Sequence, residues 1–233
     1  MADPSLALVI GANRGIGLGV VKEMLSRGWS VIATARHPDA AAELKALASA
    51  HPGKLEIQPL DMTNPGQIDA LTSAMAGKTL DAVLVNGGVA GPDHMSASKA
   101  SAAEIGTLMF TNAIAPIRLA RALAGSVREK TGVLAFTSSA MGSVSLGSDG
   151  YHELYRASKA ALNSLSRGLW NEVKGRGVTL LTLHPGWVRT DMGGPSAPVS
   201  VEESAGGLVS MIERERGKHH HAFLDFQGAD VAW

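Results

Sequence analysis

Short apolar runs alternate with amphipathic stretches along the whole chain, and this alternation predicts the secondary structure. Strands are predicted at 6–12, 30–35, 54–60, 81–87, 132–138, 178–186 and 221–226. Helices are predicted near 15–27, 40–50, 65–76, 99–125, 152–174 and 202–216. Apolar strands separated by helices are typical of a parallel sheet that is covered on both faces. The pattern therefore predicts an α/β fold with one doubly wound parallel sheet.

The chain has 233 residues, a length that suits one large α/β domain or two small ones. No linker or internal repeat interrupts the alternation, so we interpret residues 1–233 as a single domain. The least ordered segments are predicted at 88–100 and 189–200, because both are rich in Gly, Pro and Ser.

Charge and composition exclude several classes of partner. Lys and Arg number 21, as do Asp and Glu, so the formal net charge is zero, whereas a nucleic-acid partner requires a basic excess. No apolar run approaches the length of a membrane span, and MADPSLALVIGA lacks the basic region of a signal peptide. The absence of cysteine fits a cytoplasmic location.

In such a sheet, ligands bind beyond the carboxyl ends of the strands. The first predicted strand ends in Gly11-Ala12-Asn13-Arg14-Gly15-Ile16-Gly17. Glycines allow unusual dihedrals and let a pyrophosphate approach the backbone where a helix begins. The spacing is G-x-x-x-G-x-G rather than G-x-G-x-x-G, but its position after the first strand favours dinucleotide binding and a Rossmann-type sheet.

The second strand ends in Ala35-Arg36. A carboxylate at this point would bind the ribose hydroxyls of NAD, whereas a small residue followed by arginine leaves room for a 2'-phosphate and supplies its counter-charge. Arg14 could reach the same phosphate. We therefore predict NADPH over NADH. The alternative is that both arginines are solvated surface charges.

Two further strand ends are candidates for cofactor contact. Asp61-Met62 follows the third strand and is placed to meet the adenine, and Asn86-Gly87-Gly88 ends the fourth. Taken singly, each is more typical of an ordinary turn than of a cofactor contact.

The only two tyrosines of the chain, Tyr151 and Tyr155, are followed by Lys159 at a spacing of four. Residues four apart share one face of a helix. An ammonium beside a phenol lowers the pKa of the phenol and makes it a usable proton donor. An incidental pair on an exposed helix is the alternative. Ser138 and Ser139, at the end of the fifth strand, favour the functional interpretation because they add hydroxyls at the same edge.

The chain resembles the short-chain dehydrogenase/reductase family over essentially its whole length. The matching stretches, in order, are GANRGIG, LDMTN, NGG, TNAIAP, TSS, YRASK and HPGWVRTDM. Within the family, the chain is most similar to the C-factor-type carbonyl reductases, through ATARHP, YRASKAALN, HPGWVRTDMGG and the final FLDFQG segment.

The resemblance implies a catalytic set of Asn112, Ser139, Tyr155 and Lys159. Tyr155 would protonate the substrate oxygen during reduction, and Lys159 would lower its pKa and hold the nicotinamide ribose. Ser139 would hydrogen-bond the carbonyl oxygen as charge develops on it. Asn112 would hold a water that relays protons to Lys159.

The resemblance also implies NADP(H) as cofactor and a homodimer or homotetramer as the assembly. Pro185, Gly186, Trp187 and Val188 would line the nicotinamide, and Thr190 would lie near the pyrophosphate. The oligomer would use the helices near 99–125 and 152–174, although their apolar faces fit packing within one chain equally well.

Candidate substrate contacts are Tyr151 and His152, in a loop that the resemblance implies faces the substrate, together with Met141, Trp187 and Met192. For the first pair, packing at a helix N-terminus is an equal alternative. For the other three, a place in the core is the alternative. Ser139 precedes Tyr155 by sixteen positions, which indicates an extended substrate loop.

Three features depart from the family pattern or remain outside it. Ile10 replaces the usual threonine before the first glycine, which loses a local hydrogen bond, and Val85 replaces the first asparagine of the NNAG motif. Neighbouring histidines on a strand face opposite ways, so we interpret His219, His220 and His221 as surface or interface sequence without a metal site.

The sequence thus favours an NADPH-dependent reductase that acts on a ketone, aldehyde or quinone-like carbonyl. One alternative is a sensor or signalling protein that binds NADP(H) with little turnover. Another is an NAD-dependent oxidation, against which Ala35-Arg36 argues.

Overall fold

The computed structural model describes residues 5–147 and 150–233. Predictions that fall on residues 1–4, Ser148 and Asp149, including part of the extended loop, lie outside the described residues. The strands are β1 (Leu6–Ile10), β2 (Ser30–Ala35), β3 (Leu55–Pro59), β4 (Ala82–Val85), β5 (Val133–Thr137), β6 (Thr179–His184) and β7 (His221–Asp225). The helices are α1 (Gly15–Ser26), α2 (Ala42–Ala50), α3 (Pro65–Ala74), α4 (Ala102–Met109), α5 (Ala115–Leu123), α6 (Glu153–Val173) and α7 (Val201–Glu215).

All seven strands form one sheet in the order β3-β2-β1-β4-β5-β6-β7, and every neighbouring pair is parallel. The predicted Rossmann-type α/β fold is therefore confirmed. The order reverses between β1 and β4, where a crevice opens beyond the carboxyl ends of the strands. This edge places the β1 loop beside the residues that follow β4 and β5.

Two apolar layers cover the faces of the sheet because successive strand side chains point to opposite sides. Val9 and Leu84 face the layer that contains α1 and α7 residues. Leu8 and Val83 face the layer that contains α3, α5 and α6 residues. Both faces are buried, which explains why the strands read as apolar runs rather than as alternating patterns.

The single helix predicted over 99–125 is wrong in detail. A capping box between Ser101 and Glu104 sets the start of α4 at Ala102, and a π-helical turn at Phe110–Ile114 separates α4 from α5. Pro116 has no N–H, so the carbonyl of Asn112 loses its usual helical donor. The widened turn lies where Asn112 faces the candidate site.

The outer edge of the sheet at β7 is covered by the chain itself. After β7 the backbone turns and pairs in the antiparallel direction, with a bridge between Leu224 and Asp230. The Val231 amide donates to the Phe223 carbonyl at 2.8 Å. This covering fixes the path of the final residues.

Among the described residues, no helix combines the length and the apolar character needed to cross a bilayer.

Candidate active site

The glycine loop packs too tightly for side chains. Gly11 has φ +76°, and a Cβ on it would lie 3.1 Å from the backbone of Gly87. A Cβ on Gly17 would lie 2.2 Å from the carbonyl oxygen of Gly11. Gly15 also has a positive φ of +53°. The glycines therefore let the β1 loop, α1 and the end of β4 meet closely.

The start of α1 is open to an anion. Its N-cap residue is Arg14, whose side chain makes no capping bond, whereas side chains cap α3, α4 and α7. Asn13 and Arg14 are exposed, and Ile16 packs against the core beneath. The first N–H groups of a helix attract phosphate when no side chain caps them. The start of α1, with its small residues and its backbone N–H groups beside the crevice, therefore fits the phosphates of a dinucleotide.

Thr34 replaces the hydrogen bond that Ile10 cannot make. The buried hydroxyl of Thr34 on β2 accepts from the Gly11 amide at 3.1 Å, and the Thr34 carbonyl accepts from Ala12 at 2.8 Å. Sequence reasoning missed this residue. The available signal was a threonine inside an otherwise apolar strand, in a chain where Ile10 replaces the usual threonine before the first glycine.

Arg36 lies exposed at the end of β2, near Asp61. Hydrogen bonds from Thr63 lower the pKa of Asp61, and the charges of Arg36 and His37 lower it further. Arg14 forms an exposed ion pair with Asp191, across the mouth of the glycine loop. Arg36 thus lies beside Asp61, at the end of β2 where the 2'-phosphate is predicted, whereas Arg14 is held by Asp191, next to Thr190 in the sequence.

The segment after β4 ties the crevice together. The side-chain nitrogen of Asn86 donates to the Gly11 carbonyl at 3.3 Å. The side-chain oxygen of Asn86 accepts from the Thr137 hydroxyl at 2.9 Å. Met62 is buried, with its methyl 3.0 Å from where a Cβ on Gly87 would lie. Asn86 therefore joins β1, β4 and β5 at one edge, and Met62 supports that edge from below.

Ser139, Tyr155 and Lys159 converge beyond the ends of β4 and β5. The hydroxyl of Ser139 hydrogen-bonds the phenol of Tyr155. The Lys159 ammonium is buried, donates to the Thr137 carbonyl at 3.0 Å and lies 5.8 Å from the Tyr155 ring centroid. Burial lowers the pKa of Lys159 to about 8.

The expectation that Lys159 lowers the pKa of Tyr155 is not met in this structure. Burial raises the pKa of the Tyr155 phenol to about 12, and the hydrogen bond from Ser139 opposes that rise only in part. The physical reason is that the ammonium is directed to a backbone carbonyl rather than to the phenol oxygen. At neutral pH, Tyr155 consequently keeps its proton.

The buried side chain of Asn112 is fully used in holding the segment after β4. Its oxygen accepts from the Val89 amide at 2.8 Å, and its nitrogen donates to the Val89 carbonyl at 2.8 Å and to Ser158 at 3.0 Å. Gly88 lies between the Asn112 side chain and the Lys159 ammonium. A Cβ on Gly88 would be 3.2 Å from the Asn112 side-chain oxygen and 3.5 Å from the Lys159 nitrogen.

The two serines after β5 have different environments. The buried Ser138 hydroxyl donates to the Asn163 side chain at 2.6 Å, so it is directed into α6. The Ser139 hydroxyl accepts from the Met141 amide at 3.1 Å and faces Tyr155. The geometry favours Ser139 as the serine that can meet a substrate.

The segment after β6 approaches the glycine loop. Gly186 has φ +84°, and a Cβ on it would lie 2.9 Å from the Phe226 ring, while the Pro185 carbonyl accepts from Ser204 at 2.7 Å. The Thr190 methyl lies 3.4 Å from where a Cβ on Gly15 would be. Thr190 is thus near the start of α1, the end of the helix where the pyrophosphate is predicted, and Val188, two residues earlier, is buried.

Exposed apolar side chains are concentrated in the loop after β5 and in the segment after β6. Within the described part of the chain, five of the six exposed large apolar side chains lie there, with exposures of 54% to 80%. They are Val144, Leu146, Tyr151, Trp187 and Met192. Met141 is half-buried, and His152, the residue before α6, has its ring edge-on to Tyr151 at a centroid distance of 4.2 Å. Val144 and Leu146 were not predicted.

The three consecutive histidines contact three different partners. His219 approaches the Lys130 carbonyl at 2.6 Å, His220 pairs with Glu215 at 2.9 Å, and His221 contacts the Ser166 hydroxyl at 3.2 Å. Burial lowers the pKa of His221 to about 4, and the charges of Arg167 and His220 add to the effect. The imidazoles therefore do not converge.

Comparison with known proteins identifies the class. The family model described as short chain dehydrogenase matches residues 5–198, so the chain belongs to this family of oxidoreductases. The protein named C-signal from Myxococcus xanthus is 34% identical over 157 residues, covering 66% of this chain and 93% of that protein.

Solved structures agree with this assignment. A carbonyl reductase from Pseudomonas aeruginosa in complex with NADP is 42% identical, with a TM-score of 0.92 over 99% of this chain and 100% of that chain. A putative short-chain dehydrogenase/reductase from Burkholderia multivorans with bound NADP is 38% identical, with a TM-score of 0.95 over 99% of this chain and 100% of that chain. A nicotinamide cofactor is therefore supported for this chain.

Proposed function

We propose that the protein is an NADPH-dependent reductase that converts a ketone, aldehyde or quinone-like carbonyl to an alcohol. The observation that carries the proposal is the convergence of Ser139, the half-buried Tyr155 and the buried Lys159 at the carboxyl edge of the sheet. The residues 1–233 act as one nicotinamide-binding domain in this proposal. The carbonyl reductase neighbours support the reaction class.

The cofactor is held along the crevice between β1 and β4. Gly11, Gly15 and Gly17 leave room for the pyrophosphate, and the open start of α1 donates to it. Asn86, Gly87, Gly88, Pro185, Gly186 and Val188 line the nicotinamide half, and Asp61 and Met62 line the adenine half. When bound, NADPH supplies the hydride.

Tyr155 holds the proton that the reduced oxygen receives. Because burial raises the pKa of the phenol to about 12, Tyr155 is neutral near pH 7 and can act as a general acid. Ser139 orients the carbonyl oxygen and stabilises the developing negative charge. The Lys159 ammonium provides positive charge beneath the phenol.

Asn112 contributes its backbone carbonyl to the site in this proposal. Its side chain fixes Val89 and Ser158, while its carbonyl faces Pro116, which offers no N–H. In this proposal, that carbonyl holds a water near Lys159. Such a water would return a proton to the buried lysine.

The preference for NADPH rests on Arg36 and Arg14. Arg36 is exposed beside the predicted adenosine site, and Arg14 must exchange Asp191 for the 2'-phosphate. An exposed ion pair contributes only about 0–1 kcal/mol, so the exchange costs little. The two neighbours with bound NADP support this preference.

The substrate lies against Met141, Tyr151, His152, Trp187 and Met192 in this proposal.

We also propose a homodimer or homotetramer that uses α4, α5 and α6. Light scattering on the purified protein tests the assembly, and a monomer at micromolar concentration would contradict it.

The test is the rate of NADPH oxidation across a panel of aldehydes, ketones, diketones and quinones. Tyr155→Phe should nearly abolish turnover because the proton donor is lost. Tyr151→Phe, the matched control, should remain within about tenfold of the wild type. The reverse pattern would refute the assignment of Tyr155, and tight NADPH binding without turnover would favour the sensor alternative.

A further inference from the structure

Trp233 is fixed between β7 and α6. Its ring contacts the His221 ring at a centroid distance of 4.7 Å and the Phe223 ring at 5.3 Å. The Arg167 guanidinium lies over it at 5.4 Å. Two residues earlier, the Val231 amide bonds to the Phe223 carbonyl at 2.8 Å. The position of Trp233 is therefore determined by both its ring and its backbone.

The main-chain oxygen of Trp233 accepts hydrogen bonds from a single loop. The Ser145 hydroxyl donates at 2.8 Å and the Ser145 amide at 3.3 Å. The Ser143 hydroxyl, which is buried, donates at 3.4 Å and itself accepts from the Leu146 amide at 3.1 Å. Residues 143–146 thus depend on Trp233 for their position.

This loop leaves the candidate active site directly. It begins just after Ser139, and its first turn is fixed on α6, because the Gly142 carbonyl accepts from Asn163 at 3.2 Å. A Cβ on Gly142 would lie 2.8 Å from the backbone of Lys159. Ser143 and Ser145 then bond to Trp233, and the loop approaches α6 again at Gly147, next to the Arg156 side chain.

The same loop carries two of the exposed apolar side chains. Val144 is 80% exposed and Leu146 is 57% exposed. An apolar side chain in water is unfavourable by about 25 cal/mol per Å², so a ligand that covers these residues gains from the contact. Because Val144 and Leu146 follow Ser139 by five and seven positions along this loop, a bulky carbonyl compound has more to gain from them than a small one.

We propose that Trp233 is a positioning residue that sets the selectivity of the site for bulky carbonyl substrates by holding Val144 and Leu146 in place. The inference rests on the proposed reductase function. Trp233 touches neither the reacting carbonyl nor Tyr155, so its effect is on binding of remote substrate groups rather than on the chemical step.

The experiment compares a small aldehyde, propanal, with a bulky aromatic diketone in NADPH oxidation. In Trp233→Ala, kcat/KM for the diketone should fall about tenfold, through KM, because contacts with remote groups are lost. The kcat for propanal should change less than about threefold. Trp233→Phe keeps the aromatic contacts and should restore most of the selectivity.

Two further variants control the interpretation. Ser145→Ala removes a donor from the loop and should reproduce part of the effect, without adding fully to Trp233→Ala, since both act on one contact. Val231→Ala shortens a side chain in the same segment, keeps the backbone bonds and should resemble the wild type. Equal losses for both substrates in Trp233→Ala would overturn the proposal, because they indicate a general structural defect.

Amide hydrogen exchange provides a readout that needs no turnover. The Ser145 and Leu146 amides should exchange at least about tenfold faster in Trp233→Ala than in Val231→Ala, because local opening exposes them. Unchanged exchange would overturn the proposal. If the wild type reduces neither substrate, the reductase function fails, and faster exchange would still support the anchoring of the loop by Trp233.

Discussion

Tyr155 and Lys159 lie in surroundings that oppose their charged forms. Burial raises the pKa of the phenol to about 12 and lowers the pKa of the ammonium to about 8. Near pH 7 the phenol is neutral and the lysine is charged, so the pair holds a proton beside the substrate position. Sequence spacing predicted this contact, but the direction of the pKa shift of the phenol is set by burial, which spacing does not reveal.

The roles of Ser139 and Ser138 can be separated by substitution. Ser139→Ala removes the hydroxyl beside Tyr155 and should lower kcat by roughly 10²–10³-fold. Ser138→Ala removes the bond to Asn163 and should instead lower the free energy of unfolding by about 1–3 kcal/mol. Steady-state kinetics and urea unfolding of both variants check this. A greater kinetic loss in Ser138→Ala would show that the wrong serine was chosen.

His221 should make the stability of the protein depend on pH. Burial lowers its pKa from 6.5 to about 4 in the folded state. As pH falls below 6.5, His221 binds a proton in the unfolded state but stays neutral in the folded state. The free energy of unfolding therefore decreases down to about pH 4.

The measurement is the urea midpoint between pH 7 and pH 4 for the wild type and for His221→Gln. The wild type should lose more stability than the variant across this window, because the variant lacks the titrating group. Parallel curves would contradict the buried neutral imidazole.

Glycines within two helices should respond in opposite ways to the same substitution. In α1, a Cβ on Gly17 would lie 2.2 Å from a backbone oxygen, so Gly17→Ala should destabilise the protein by about 1–3 kcal/mol and weaken NADPH binding. In α6, a Cβ on Gly168 would meet nothing within 4 Å. Gly168→Ala should stabilise by about 0.5–1 kcal/mol. Thermal unfolding checks both signs, and stabilisation by Gly17→Ala would refute the packing described for the loop.

Elements were predictable from sequence to the extent that local periodicity determines them. VLAFT in β5 is buried at every position, and such a run leaves little choice of structure. The π-helical turn before α5 was missed because an apolar period alone does not reveal a lost backbone donor. Pro116, four residues after Asn112, was the visible signal.

The site was predictable where strand ends define it and unpredictable where distant segments meet. Gly11, Asn86 and Ser139 follow adjacent strands of the sheet, so their convergence follows from topology. The contacts of Thr34 with Gly11 and of Trp233 with Ser145 join residues far apart in sequence. No periodicity encodes such contacts, since they depend on how complete layers pack.

At the scale of the whole molecule, binding of the cofactor should raise the stability of the folded state. A ligand that binds only the folded state stabilises it by about 2.7 kcal/mol at a hundred times its Kd. At equal concentrations, NADPH should therefore raise the Tm more than NADH does. In Arg36→Ala the difference should shrink, because the 2'-phosphate loses its counter-charge. Equal shifts by both nucleotides in the wild type would refute the preference for NADPH.

The covered edge at β7 has a consequence during synthesis. An open strand edge can pair with a neighbouring chain and start aggregation. The residue that closes this edge, Val231, follows the end of β7 at Asp225 closely in the sequence. At about 5–20 residues per second of translation, the ribosome adds the closing segment within roughly a second of the strand itself. The nascent sheet is therefore left open at this side only briefly.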